Sequence, residues 1–384
     1  MAHVEDRRGQ GKGWRVRYRG PDGAERSQSF TRKLDADNFA KTVGADLVRG
    51  QWIDPKGGKT VFDEWAQRVA ASSVDLRPST RARDASYYKN HVKPTFGKMR
   101  LGAIDHITVR EWVAELSASG LAPATVHKCH QVLAKIMRAA VDAGLILASP
   151  CERQPLPRIE REEMRFLGPQ QIALLAGVID ERYRPLVLVS AYGGLRAGEL
   201  FGLRRGRVDL LRGRVDVAET LVEVRGHHHF GPPKTRAGHR SVPLPRSVVE
   251  VLTTHVAGLE PGDLVFPAPD GGPVRSSLFR RRVWYPACVK AGFGELVKDE
   301  ETGKKHYRGL RLHDLRHSAV ALWIAAGASP KEVAVRAGHT SVSVVLDRYG
   351  HLLPGLEDRV TDALDEMAKA VTSAPMASVT ALRR

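Results

Sequence analysis

Cysteine, aromatic residues and acid are all scarce in this chain. Its 384 residues include three cysteines, Cys129, Cys151 and Cys288, far apart and without ligand spacing. They make neither a disulfide framework nor a zinc set, which fits a reducing compartment. Aromatic side chains are only 6% of the residues, and no apolar run approaches the length needed to span a membrane. The N-terminus lacks the apolar core of a signal peptide, so the sequence reads as soluble and intracellular. Acid is outnumbered: 43 Asp and Glu stand against 60 Lys and Arg, a formal net charge of +17 with a pI near 10.0. Such a surplus suits a polyanion, with nucleic acid the default partner and a merely basic protein the alternative. The 42% of hydrophobic residues is enough for real cores, and the length suits two or three domains.

One stretch organises the rest. From Arg311 to His351 the chain reads R-L-H-D-L-R-H, an apolar helix, R-A-G-H, and then L-D-R-Y-G-H. The Arg and His groups suit a phosphodiester, whose reaction spreads negative charge over its non-bridging oxygens. The phenol of Tyr349 suits a covalent intermediate that can be resealed without ATP. His313, Arg316 and His317 share a helical face through their i+3 and i+4 spacing. Val320, Leu322, Trp323 and Ile324 continue that helix until Gly327. Ser329-Pro330-Lys331-Glu332 reads as a capping box, and Gly338 stops the second helix so that His339 lies on the turn beyond. Thr340 or Ser341 caps a third short helix carrying Tyr349.

H-D-L-R-H-S, A-G-H-T-S and the closing Y-G-H resemble the signature of the tyrosine recombinases, the lambda-integrase family. Upstream, Gly194-Leu195-Arg196-Ala197-Gly198-Glu199-Leu200 is similar to the family's G-L-R-x-x-E-L motif. Pro233-Lys234-Thr235 with Arg240-Ser241-Val242-Pro243 is similar to the segment that carries the family's lysine on a β-hairpin. Each motif is short, but their order and separation are hard to obtain by chance. The implied fold is multidomain α+β: a small sheet-plus-helix arm domain, a helical core-binding bundle of SAM-like type, and a mainly α catalytic domain with a small antiparallel sheet. The implied boundaries are 1–55 for the arm domain, 59–148 for the bundle, 149–164 for a linker and 165–355 for the catalytic domain. A C-terminal helix and tail occupy 356–384.

Taken in order, residues 1–10 read as polar and frayed. Trp14-Arg15-Val16-Arg17-Tyr18-Arg19 alternates like a half-buried strand, Gly20-Pro21-Asp22-Gly23 turns, Ser27 to Phe30 returns, and Asp35 to Arg49 is an amphipathic helix. This unit resembles an arm-type DNA-binding domain, whose Arg15, Arg17 and Arg19 would enter a major groove; the alternative is a solvated strand face. A linker at Trp52–Gly58 leads to helices capped by Thr60, begun by Ser79-Thr80, capped by Thr108 and opened by Pro123. The stretch 79–97 resembles the core-binding domain of the same family. Its aromatic residues read as core, whereas Arg81, Arg83, Lys89 and Lys93 are candidates for phosphate contacts. The Pro-rich segment to Met164 reads as a flexible linker that lets two basic domains close on a duplex.

In the third domain, helices open at Gly168-Pro169 and span Tyr183 to Tyr192, and Val208 to Glu223 alternates like strands. Glu199 reads as a structural partner of Arg196 rather than a base. His227, His228 and His229 invite a metal reading, but no carboxylate or cysteine completes a set, so no metal is expected. Lys298 to Tyr307 is a charged loop without an assigned role. Leu352 to Val371 carries a helix that, in the family, docks on a neighbouring subunit.

The resemblance implies a mechanism. Arg196 and Arg316 clamp the scissile phosphate, Tyr349 attacks to form a 3′-phosphotyrosyl link, and Lys234 protonates the leaving 5′-oxygen. His313 acts as acid, base or positioning group, and His339 bonds a phosphate oxygen. No cofactor is implied. The partners implied are double-stranded attachment-site DNA, three further copies in a tetramer, an excisionase-type directionality factor and a host DNA-bending protein. The compartment implied is the nucleoid-associated cytoplasm. Two rivals come from other classes: a zinc hydrolase using His313 and His317, and a DNA-binding protein without catalysis. Within the family the rivals are a type IB topoisomerase and a chromosome-dimer-resolution recombinase. The arm-like domain favours an integrase of a phage or other mobile element.

Overall fold

Three antiparallel strands begin the chain in the computed structural model, which describes residues 2–21, 23–49, 57–74, 76–160, 164–300, 303–353, 361–362 and 364–369. Two compact units divide it, Met1–Arg161 and Glu162–Arg384. In the first unit, β1 (His3–Asp6), β2 (Trp14–Arg19) and β3 (Glu25–Phe30) form one sheet with β2 central, followed by α1 (Lys33–Arg49). Val16 and Tyr18 point from β2 onto Ala36 and Val43 of α1, so the alternation predicted for this strand is what builds its small core. Residues 3–6 are a strand, not the frayed end predicted from their polarity. Val4 pairs with Val16 and Asp6 with Trp14, so backbone pairing to β2 orders a segment that has little to bury.

The helices follow as α2 (Phe62–Ser72), α3 (Pro78–Tyr87), α4 (Lys93–Phe96), α5 (His106–Ala118) and α6 (Pro123–Asp142), with a π-type turn at Tyr88–Val92 joining α3 to α4. Phe62, Phe96, Trp112 and Val126 are fully or almost fully buried with Leu133 and Met137, so the aromatic residues are core, as their spacing suggests. Two predicted caps are displaced. Thr60 does not cap α2; the helix's first N–H groups instead reach Met99 O and Gly97 O at 2.8 and 3.1 Å. Asp105, not Thr108, caps α5, its carboxylate accepting from the Thr108 N–H and hydroxyl at 2.7 Å each. The bundle also keeps part of the Pro-rich segment. Cys151 is buried in its core, and Pro157 O meets His127 Nε2 at 2.9 Å. The predicted linker at 52–58 lies outside the described residues up to 56.

The second unit runs α7 (Pro169–Val178), α8 (Arg184–Gly193), α9 (Ala197–Phe201), β4 (Val208–Asp209), β5 (Arg214–Val217), β6 (Thr220–Val224), β7 (His227–Gly231), β8 (Arg240–Pro243) and α10 (Arg246–His255). It continues through α11 (Ser276–Phe279), α12 (Tyr285–Lys290), β9 (Gly294–Lys298), β10 (Lys305–Gly309), α13 (Asp314–Ala325), α14 (Pro330–Ala337) and α15 (Ser343–Tyr349). Its sheets are the three strands β4-β5-β8 and the two hairpins β6-β7 and β9-β10. The charged stretch 298–307 is therefore mostly the tip and second strand of a hairpin; residues 301 and 302 are not described. The C-terminal helix predicted from Leu352 onwards lies largely outside the described residues.

Helix α13 is the axis of this unit. Leu315, Ala319, Val320 and Trp323 are almost wholly buried, and the helix packs against α8 and α14. Helix α8 stops at Gly194 in the left-handed region, φ 63°. A Cβ there would lie 2.6 Å from the Trp323 ring, so this turn needs glycine twice over, for its dihedral and for its space. Gly258 has φ 80° but open space around it. Gly194→Ala should therefore cost well over the roughly 1 kcal/mol set by backbone strain alone, whereas Gly258→Ala should cost about that amount. Urea denaturation of the two variants measures the difference, and equal midpoints would contradict it.

Candidate active site

The C-terminal end of α14 presents three successive carbonyls, and three arginines converge on them. Arg240 Nε donates to Arg336 O at 2.8 Å, Arg316 donates to Ala337 O, and Arg196 donates to Gly338 O at 3.2 Å. A helix end leaves such carbonyls without partners and carries partial negative charge, so guanidinium groups satisfy them on both counts. The box that starts α14 is formed as predicted, with Ser329 Oγ accepting from Glu332 N–H and the Glu332 carboxylate accepting from Ser329 N–H. Gly338 ends the helix at φ 64°, and a Cβ there would meet Ala237 O at 2.8 Å.

Glu199 binds two of these arginines, Arg196 and Arg240. It is 2% exposed, accepts from the Arg196 backbone and guanidinium at 2.9 and 2.8 Å, and pairs with Arg240 at 2.9 Å. Burial pushes its carboxyl up, but Arg240 and Arg196 outweigh that and hold it below the ordinary glutamate value. Arg240 is thus the residue that sequence reasoning quoted without a role. Its signal was present in the R-x-V-P end of the lysine motif, but its 5% side-chain exposure and its bonds to Glu199 appear only in the fold.

Arg316, 3% exposed, also donates to Gly194 O at 2.5 Å and to His339 Nε2 at 3.1 Å. Burial, Arg196 and Arg240 push its pKa down to about 9, so it stays charged at neutral pH in a site with more cation than anion. Arg196 remains 39% open to solvent. His339 follows Gly338 on the predicted turn; burial and then Arg316 push its pKa down to about 4, and its Nδ1 is buried without a partner. His313 immediately precedes α13 with part of its ring toward solvent. Packing around it, then His317 and Arg316, lowers its pKa to about 4 as well.

Tyr349 ends α15 and is 2% exposed. Its hydroxyl hydrogen bonds to His317 Nδ1 at 2.6 Å, and its ring lies beside Phe166. Burial raises its pKa, and Arg316 and Arg348 oppose that. The N-cap of α15 is Val342, without a side-chain cap, rather than Thr340 or Ser341, although Ser341 Oγ accepts from the Ser343 N–H just inside the helix at 3.1 Å.

Lys234 is not brought in. It is exposed in the loop between β7 and β8 rather than on a hairpin strand, and no hydrogen bond or ion pair holds it among the described residues. The reason is topological: β7 pairs with β6, β8 pairs with β5, and the lysine lies on the crossing between two sheets. His227 and His229 are exposed on β7, while His228 turns to the other face opposite Glu223.

The candidate DNA contacts of the first unit are partly engaged already. Arg15 donates to Ser27 at 2.7 Å, Arg17 pairs with Glu25, and Arg19 is exposed. Arg81 donates to Ser73 O, Arg83 pairs with Asp84 at 2.9 Å and Lys93 with Asp63 at 3.0 Å, while Lys89 is exposed. In the second unit a groove of about 950 Å³ opens beside His313 and Arg311 and runs past Arg280, Tyr285 and Tyr307. A second groove of about 470 Å³ shares those three residues and adds Arg281, Lys305 and His306. Tyr285 and Tyr307 stack at 4.0 Å in its wall.

Similarity to known proteins extends over most of the chain. Residues 165–355 match the phage integrase family, and residues 59–117 match the phage integrase N-terminal SAM-like domain. A putative prophage phiRv2 integrase of Mycobacterium tuberculosis is 27% identical over 369 residues, covering 93% of both chains. The ICEBs1 integrase of Bacillus subtilis is 25% identical over 313 residues, covering 78% of this chain and 81% of its own. Among solved structures, the Tn1549 transposon integrase with circular intermediate DNA superposes with a TM-score of 0.66 at 16% identity, over 80% of this chain and 99% of that one. A lambda integrase tetramer bound to a Holliday junction gives a TM-score of 0.55 at 17% identity, over 89% and 93%.

Two stability outcomes follow from the site. Arg240→Ala removes one of the two arginines paired with the buried Glu199 carboxylate and should cost about 1.5–3 kcal/mol, read from urea unfolding. His313 and His339 titrate near 4 in the folded chain against an ordinary 6.5. The unfolded chain therefore takes up protons first, and the stability of this unit should be full above pH 6.5 and fall as pH drops toward 4. His339→Asn should flatten that fall, and an unchanged pH slope would contradict the assignment.

Proposed function

The chain belongs to the phage integrase family, and from that premise we propose that it is a site-specific tyrosine recombinase. It cuts and rejoins DNA through a 3′-phosphotyrosyl intermediate, integrating and excising a phage or other mobile element at attachment sites. The observation that carries this reading is the convergence of Arg196 and Arg316 on adjacent carbonyls beside His339. Two guanidinium groups held at neighbouring points, in excess of local anion, suit a phosphate with two non-bridging oxygens.

In this reading Arg196 and Arg316 bind the scissile phosphate, and His339 bonds one of its oxygens. Tyr349 Oη attacks phosphorus in line and the 5′-oxygen leaves. Charge building on the non-bridging oxygens is met by dipoles and cations already fixed, so little reorganisation is needed. Glu199 and Arg240 position Arg196 without touching substrate. His313 borders the groove that leads away from the site and serves as acid, base or positioning group. Lys234, on an open loop, supplies the proton of the leaving 5′-oxygen once DNA orders that loop. No cofactor enters the scheme.

The exposed Arg280, Arg281 and Lys305 provide a track for the backbone of the flanking duplex. Arg15, Arg17 and Arg19, together with Arg81, Arg83, Lys89 and Lys93, supply further phosphate or groove contacts. The acting form is a tetramer on DNA, the arrangement described for lambda integrase, with a directionality factor and a host DNA-bending protein as accessory partners in the nucleoid-associated cytoplasm.

The deciding experiment traps the covalent intermediate. Attachment-site duplex nicked beside the scissile phosphate, incubated with the protein in EDTA, should yield an adduct that survives denaturation and vanishes in Tyr349→Phe. Arg196→Lys and Arg316→Lys should slow its formation by about 10²- to 10³-fold. Tight binding without adduct would favour a non-catalytic DNA binder. Replacing Arg280, Arg281 and Lys305 together by Ala should lower the log–log salt slope of binding by about three; an unchanged slope would remove the groove from the DNA path.

A further inference from the structure

We infer that His317 is a catalytic residue of the same reaction: its Nδ1 accepts the proton of Tyr349 Oη as that oxygen attacks phosphorus. The inference rests on the recombinase reading and assigns the nucleophile's proton to one acceptor. The set above binds the phosphate and protonates the leaving group, and it leaves His313 open as acid, base or positioning group; among the described residues His313 makes no hydrogen bond to Tyr349, whereas His317 does.

The geometry supplies the acceptor. His317 Nδ1 lies 2.6 Å from Tyr349 Oη, both residues are almost fully buried, and no other described side chain is hydrogen bonded to that oxygen. The other groups near it are of the wrong charge, since Arg316 and Arg348 can donate to a phenolate but cannot take its proton. Burial holds the His317 pKa below its ordinary value and the Tyr349 pKa above. The resting pair is therefore neutral, and in the tautomer that carries its proton on Nε2 the tyrosine O–H donates to Nδ1. The charged and titratable groups facing His317 are Asp314, Arg316 and His313 from its own segment, Arg311 before it, and Arg348 with Tyr349 from α15. Asp314 is the carboxylate among them and favours the imidazolium that forms during attack.

The step balances. The Tyr349 Oη–P bond forms and the P–O5′ bond breaks. The phenol proton passes to His317 Nδ1, and the leaving oxygen gains a proton from Lys234. Resealing runs the same transfers backwards, His317 returning the proton as Tyr349 leaves.

The test separates the nucleophile's proton from the leaving group's. A nicked attachment-site duplex is made with oxygen or with sulfur at the bridging 5′ position; a thiolate leaves without protonation. Formation of the covalent adduct is followed from pH 5.5 to 9.5 for the wild-type chain, His317→Ala, His317→Asn and Lys234→Ala. Asn offers an oxygen near the position of Nδ1, which keeps the buried hydrogen bond but is not a base. Both His317 variants should form adduct about 10²-fold more slowly at pH 7, equally on both substrates. Their rates should climb toward alkaline pH, and added imidazole should restore part of the activity of His317→Ala. Lys234→Ala should recover on sulfur only. Recovery of the His317 variants on sulfur would move His317 to the leaving-group side and overturn the proposal. So would an Asn variant with wild-type rate and pH profile, or a loss that neither alkaline pH nor imidazole relieves. Absence of any Tyr349-dependent adduct from the wild-type chain would instead overturn the recombinase reading beneath it.

Discussion

The end of one short helix holds this site together. Helix α14 finishes with the carbonyls of Arg336, Ala337 and Gly338 pointing the same way, and each is met by a different arginine. Those arginines come from three distant parts of the sequence, the α8–α9 turn, strand β8 and helix α13. Backbone carbonyls cannot rotate away as side chains can, so they fix the guanidinium groups without adding a full negative charge. A carboxylate in that place would hold the arginines as well, but it would also neutralise them and compete with phosphate.

Glu199, the buried carboxylate that meets these arginines, is placed to limit that competition. It spans Arg240, which is fully enclosed, and the inner edge of Arg196, leaving the rest of Arg196 open to solvent. Arg316 has no carboxylate within hydrogen-bonding reach among the described residues. Its lowered pKa is the sign of that deficit, since burial and two like charges all oppose its proton. On the proposed reading, the scissile phosphate supplies the missing negative charge and offsets the crowding of cations.

Much of this was legible in the sequence, for definable reasons. The box Ser329-Pro330-Lys331-Glu332 and the stop at Gly338 depend on local chemistry, and they placed His339 on its turn correctly. The period of α6 predicted its buried face, because a helical stripe has one sensible destination, whereas α13 is enclosed on every side over 314–320, which no stripe reveals. What sequence could not give was long-range pairing. Strand β1 reads as polar because its stability comes from backbone bonds to β2. Lys234 was expected on a hairpin because strand order is invisible to a local pattern. Asp105 outcompeted Thr108 as a cap since a carboxylate three residues ahead of an N–H is the stronger acceptor. Arg240 stood in the lysine motif without a role until Glu199 and Arg336 O closed around it in the fold.

The partition of charge along α13 ties these points together. Arg316 and His317 are consecutive, so on a helix their side chains leave about 100° apart. One turns toward Gly194 and the end of α14, where cation is in excess; the other turns toward α15, where a neutral imidazole meets a neutral phenol. Phosphate binding needs permanent positive charge, while deprotonating a tyrosine needs a base that is itself uncharged. The two requirements conflict if they share one environment, because a cluster of arginines depresses a basic nitrogen and an imidazolium cannot accept a proton. Placing them on different faces of a single helix keeps the guanidinium and the imidazole adjacent yet electrostatically distinct. The buried position of Tyr349 belongs to the same arrangement: its phenol is held away from water, which raises its pKa, with His317 Nδ1 2.6 Å from its oxygen.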